Sequence, residues 1–207
     1  VTGVQTCALP ISSGGAIASR VVDVREPRQL EELRAFAVER FGSLNGWHNN
    51  AFASVFKAIY EQTLEEFDTT IEISLRAYWY GAKLAVEHMR RNGGGVILNT
   101  ASVQSYFGEP GFSAYQAAKG AILNLTRSVG KECAPQVRSV AIAPGLIFTP
   151  AHDGIPAETM DRVVESIPAR RGAQPEEVAA LAAFLVSDEA DYITGTGIIM
   201  DGGYLSI

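Results

Sequence analysis

The stretch that decides the fold begins Val96-Ile97-Leu98-Asn99-Thr100-Ala101-Ser102, runs on for twelve residues, and closes on Tyr115-Gln116-Ala117-Ala118-Lys119. Val96, Ile97 and Leu98 follow Gly93, Gly94 and Gly95. A short apolar run after such a cluster reads as a buried strand. Ser102 falls just past the strand's C-terminal end, where ligands sit on open α/β sheets. Tyr115 and Lys119 are four apart in a helical pattern, so both leave one face of a helix, a turn apart. A hydroxyl, a phenol and an ammonium can thus converge on one oxygen-bearing group. The Tyr-Lys pair alone has a plain reading, a phenol OH at the surface and a solvated lysine. Chance supplies about 0.14 such pairs in a chain of this composition, and about 0.01 once a serine at a set position is required. The three together point to chemistry.

Composition bounds the rest. The chain has 207 residues, enough for one domain with a substantial core. It is 47% hydrophobic and 19% charged, ordinary for a globular protein. A net charge of −6 argues against nucleic acid or an anionic membrane as partner. The longest strongly apolar run, Val178 to Val186, is too short to span a bilayer. Two cysteines, Cys7 and Cys133, give no disulfide framework and suit a reducing cytoplasm. His48, His88 and His152 are scattered, and no metal-ligand cluster is visible.

Upstream of the central stretch, Arg20 to Val24 reads as a short strand. Pro27 opens a helix with Leu30, Leu33, Phe36 and Ala37 at helical spacing, and Gly42 stops it. Thr63-Leu64-Glu65-Glu66 is a capping box that starts a long helix toward Met89. Downstream, the helix of Tyr115 continues through Ile122, Leu125 and Val129. Val137 to Ala143 is a buried strand ended by Pro144 and Gly145. Residues 151–171, with Pro150, Pro156 and Pro168 at or near their ends, read as a mobile substrate flap. Pro175 opens another helix, with Glu176 and Glu177 suited to its first turn, and Gly197 to Asp201 is the last strand.

Ser102, Tyr115 and Lys119 at this spacing resemble the catalytic set of the short-chain dehydrogenase/reductases. Asn49-Asn50-Ala51 is similar to that family's N-N-A-G turn, with Phe52 in place of the glycine. Pro144-Gly145-Leu146-Ile147-Phe148-Thr149 is similar to its P-G-x-I-x-T segment. Pro175 to Ala179, Ile193-Thr194-Gly195 and Asp201-Gly202-Gly203 resemble its C-terminal signature. The series covers about Arg20 to the C-terminus.

The resemblance implies an α/β fold, a Rossmann-like doubly wound parallel sheet in three α/β/α layers. Val1 to Ile11 is read as an artefactual leader, because a common sequencing-library adapter translates to those eleven residues. Residues 12–207 are then a partial NAD(P)-binding domain that lacks the first β-α-β unit and its phosphate-cradling turn.

By the same resemblance, Tyr115 is the general acid/base, and Lys119 tunes it and holds the nicotinamide ribose. Ser102 binds the substrate oxygen. A neighbouring ammonium and the charge of an oxidised nicotinamide favour the phenolate and lower the tyrosine pKa. Asp23 matches a residue near the adenine, or caps the next turn. Asn50 and Ala51 line the adenosine side, or serve the turn itself. Pro144, Gly145, Ile147 and Thr149 match contacts to the nicotinamide end. Phe148, His152 and Met160 touch substrate or pack the flap. Ser74 stands where the family has a catalytic Asn, either as a weakened relay or as an inert helix residue.

The function so implied is an oxidoreductase moving hydride between NAD or NADP and the carbon of a small-molecule secondary alcohol or ketone. A 3-oxoacyl reductase, a hydroxysteroid dehydrogenase or a sugar dehydrogenase would each fit. A homo-oligomer, dimer or tetramer, follows by family analogy. Two other readings stand beside it: a non-catalytic binding or scaffold protein, and a sugar-nucleotide epimerase.

Overall fold

The computed structural model describes residues 15–206. The leader expected over Val1 to Ile11 lies outside them. Among the described residues four strands form one all-parallel sheet in sequential order: β1 (Gly46–Asn49), β2 (Gly95–Thr100), β3 (Val137–Pro144) and β4 (Thr196–Met200). The register pairs Asn49 with Asn99, Leu98 with Val140, and Ile142 with Ile198.

Parallel neighbours need crossovers, and helices supply them on both faces. On one face lie α1 (Pro27–Phe41), α3 (Ala77–Met89) and α4 (Ser113–Cys133). Their apolar residues Leu30, Ala85, Met89 and Ile122 meet Trp47, Ile97, Val137 and Ala141. On the other face α6 (Pro175–Val186) sets Leu181 and Leu185 on Leu98, Val140 and Ile142. Successive residues of β3 therefore face opposite layers, and both faces are apolar.

Local chemistry explains the helix ends. Gly42 closes α1 in the left-handed conformation, φ 82°, and donates to the Val38 carbonyl. Thr63 and Glu66 cap α2 (Leu64–Ile71) reciprocally, the Glu66 N–H on Thr63 Oγ1 at 3.2 Å and the Thr63 N–H on Glu66 Oε2 at 2.9 Å. The helix then runs to Met89 through a π-helical turn at Glu72–Arg76, which separates α2 from α3. Inside the expected flap a helix forms, α5 (Ala157–Ser166).

One expected element does not form. Arg20 to Val24 is not a strand, because no neighbouring strand pairs with it among the described residues. Val22 and Val24 pack on the core, and Val21 is exposed.

Two buried polar systems tie the layers together. Trp47 Nε1 donates to Asn49 Oδ1, Asn49 Nδ2 to Asn99 Oδ1, and Asn99 Nδ2 to Thr126 Oγ1 at 2.8, 2.9 and 3.0 Å. α3 comes close enough to this chain only because it carries Gly81. A Cβ there would stand 2.6 Å from Trp47 Nε1. At the other end of the sheet, the buried Arg138 guanidinium donates to the carbonyls of Leu185, Ser187 and Ile193. It thereby satisfies carbonyls left open where α6 stops.

Candidate active site

β2 ends at Thr100, and the chain crosses the sheet's C-terminal rim into a single 3-10 turn, Val103–Ser105. Ser102 caps that turn, its hydroxyl accepting from the Gln104 N–H at 3.2 Å. Ser105 pins the turn to α4 by donating to the Lys119 carbonyl at 2.8 Å. Strand end and helix are therefore locked together at Lys119.

Burial raises the Tyr115 pKa above the ordinary tyrosine value, and the Ser102 side chain acts in the opposite direction. The Lys119 ammonium lies 5.6 Å from the Tyr115 ring centre. The three residues thus lie together past the C-terminal end of β2. Lys119 is 1% exposed and donates to the Thr100 carbonyl at 2.6 Å and to the Tyr78 hydroxyl at 3.3 Å. Burial brings its pKa down to about 7. The lowering of the Tyr115 pKa expected from the ammonium is not the net result in the chain by itself, because desolvation dominates. Aromatic rings flank the phenol: Phe52 at 6.2 Å and Phe112 at 6.4 Å, both edge-on.

The remaining expected residues separate into groups. Asn50 Oδ1 accepts from Thr100 Oγ1 at 2.8 Å, and Thr100 Oγ1 accepts in turn from His48 Nε2 at 2.9 Å, which puts the imidazole proton on Nε2. Ala51 follows directly, at the same rim. Pro144 ends β3, and the Gly145 N–H bonds the Met200 carbonyl, closing that strand end onto β4. Ile147 bridges to Ala173, and the Phe148 N–H donates to the Ala173 carbonyl. Phe148, Thr149, His152 and Met160 line a cavity of about 480 Å³. Asp23 accepts from the Arg25 N–H and chelates the Arg25 guanidinium, which holds its carboxyl down at about 2. Asp23 Oδ1 thereby caps the turn at Arg25. Ser74 is fully buried, and its hydroxyl is committed to Ala53, accepting from the N–H at 3.0 Å and donating to the C=O at 3.2 Å.

A nicotinamide cofactor fits this donor set at its reactive end. Lys119 has two acceptors for three N–H groups, which leaves one N–H for a ligand oxygen.

Comparison with known proteins bears on the same point. The family model described as enoyl-(acyl carrier protein) reductase matches residues 4–205. The 3-oxoacyl-(acyl-carrier-protein) reductase FabG of Thermotoga maritima is 32% identical over 190 residues, 91% of this chain and 77% of that protein. The chain belongs to the short-chain dehydrogenase/reductase family.

This short-chain dehydrogenase/reductase is also 34% identical to meso-2,3-butanediol dehydrogenase of Serratia marcescens, over 97% of its own length and 79% of that relative's. A crystal structure from Sinorhizobium meliloti 1021, assigned to the short-chain alcohol dehydrogenases, superposes with a TM-score of 0.91 at 33% identity. It covers 96% of this chain and 80% of the other. The ligand-free aldohexose dehydrogenase of Thermoplasma acidophilum gives 0.82 at 30% identity, over 89% and 77%. The expected doubly wound α/β fold therefore holds, and the protein is an oxidoreductase of this family. No helix among its described residues is long and apolar enough to cross a membrane.

Sequence reasoning missed Tyr78, whose hydroxyl reaches Lys119 from α3. It lies within the helix read from Thr63 toward Met89, with no motif around it to mark it. The contact of Phe52 with Tyr115 also went unread, although Phe52 was visible as a departure from the turn motif.

Proposed function

We propose that this oxidoreductase interconverts a secondary alcohol and its ketone with NAD or NADP, and that Ser102, Tyr115 and Lys119 carry the proton chemistry. The nicotinamide supplies or takes the hydride when bound. Tyr115, kept protonated at neutral pH by its burial, donates its proton to the ketone oxygen. In the reverse direction it needs the phenolate, favoured by the protonated Lys119 and by a positive charge in the cleft. Ser102 donates to the substrate oxygen as negative charge gathers there. Lys119 uses its remaining N–H group to hold the cofactor ribose. Asn50 and Ala51 line the adenosine side, and Asp23 stands at its far end. Pro144, Gly145, Ile147 and Thr149 support the nicotinamide, and Phe148 faces substrate. Ser74 fixes the turn at Ala53 that sets Phe52 beside the phenol. We place the protein in the cytoplasm as a homo-oligomer, a dimer or tetramer.

The observation that carries this reading is the convergence of hydroxyl, phenol and ammonium at the C-terminal rim of β2. The names of the relatives, a diol dehydrogenase and a 3-oxoacyl reductase among them, support alcohol and ketone substrates.

The test is nicotinamide fluorescence with a panel of ketones and secondary alcohols. Tyr115→Phe is expected to abolish turnover, with a circular dichroism spectrum and melting temperature like the parent. Near-parental turnover in that variant would refute the assignment. Cofactor binding without turnover of any substrate would favour the scaffold reading.

A further inference from the structure

Lys119 is buried, and a buried ammonium must be held by defined acceptors. Thr100 O supplies one, at 2.6 Å from β2. The second comes from α3: the Tyr78 hydroxyl stands 3.3 Å from Nζ, and the ammonium lies 5.2 Å from the Tyr78 ring centre. The same hydroxyl donates to Thr100 O at 3.3 Å, which closes a triangle of phenol, ammonium and carbonyl. Tyr78 is 1% exposed, so bulk solvent does not reach that place. Ser74, one turn earlier on the same continuous helix, has its hydroxyl spent on Ala53. The side chain of this helix that reaches the amine is therefore Tyr78.

We propose that Tyr78 is a positioning residue, holding the Lys119 ammonium in place and in its charged form through the shared Thr100 carbonyl. This rests on the oxidoreductase reading above. Among the described residues, the titratable groups that face the amine are Tyr78 from α3, Tyr115 from its own helix, and His48 from β1, which the amine's charge acts on. Tyr78 keeps its proton throughout, since burial and the Tyr115 charge both push its pKa upward. It is thus a fixed dipole, able to accept from the ammonium while donating to the carbonyl.

The test is Tyr78→Phe, which keeps the ring and removes the hydroxyl, with Lys119 still on Thr100 O. A hydrogen bond to a charged group lost in this way is expected to lower kcat for ketone reduction about tenfold, with KM unchanged within twofold. The charged amine loses an acceptor, so its titration moves to lower pH. The falling limb of the kcat profile is expected to move down by about one pH unit, because one unit corresponds to a tenfold change. Nitrogen NMR of the lysine side chains reads the same midpoint without turnover. An unmoved Lys119 midpoint would overturn the proposal, as would a lower melting temperature with an unchanged pH profile. If the parent protein turns over no substrate, the oxidoreductase reading fails, and the NMR midpoint still decides the contact.

Discussion

Lys119 is an amine where physics disfavours one. With burial holding its pKa near 7 against an ordinary 10.5, the folded chain binds fewer protons than the unfolded chain between those values. The slope of stability with pH is then positive, so the fold gains stability as pH rises from 7 toward 10. Below pH 7 both states carry the proton, and the desolvation of the ammonium is borne in full. Lys119→Met is expected to remove that slope, at most about 1.4 kcal/mol per pH unit, and to be more stable than the parent at pH 6. Chemical denaturation of both proteins from pH 6 to 9 checks it. A parallel dependence in the two would exclude Lys119 as the source. This residue, with Ser102 and Tyr115, was legible in the sequence because strand end and helix pitch fix their directions. Tyr78 was not, because its partner lies 41 residues away and nothing local marks it.

At the scale of elements, caps and strands were legible where local chemistry decides them. Thr63 with Glu66, Gly42, and the apolar run of β3 all act as their residue types dictate. Arg20 to Val24 was misread because β-forming residues do not by themselves supply a pairing edge. The π-helical turn was also invisible. It forms where the Ser74 hydroxyl is held by the Ala53 backbone, a tertiary contact. Arg138 is the element-scale test. Three carbonyls, two at the end of α6 and one ahead of β4, accept from it. Arg138→Met keeps the bulk and removes that donor from all three, with Ser187 O keeping only the Ala190 N–H at 3.3 Å. It is expected to cost about 2–4 kcal/mol and lower the melting temperature by roughly 5–15 °C. Calorimetry reads both, and a shift under 2 °C would assign the α6 terminus to packing alone.

For the whole molecule, the candidate site collects side chains from the rims of β1, β2 and β3 and from the segment after β3, so a ligand seated there touches most of the fold. Binding to the native state alone stabilises by mass action. NADH or NADPH at one hundred times its dissociation constant is expected to add about 2.7 kcal/mol. The nucleotide that raises the melting temperature more at equal concentration is the preferred cofactor, and no shift with either would count against the proposed chemistry. The amide chain from Trp47 through Asn49 and Asn99 to Thr126 has a consequence for assembly. Apolar residues tolerate sliding past one another, but two carboxamides meet only in one alignment of edge strand, neighbouring strand and covering helix. A slip by a single position would strand each of them without water or partner, at about 1–3 kcal/mol apiece. The interior thus carries its own proofreading: a collapsed chain in the wrong alignment is penalised before the cleft is complete.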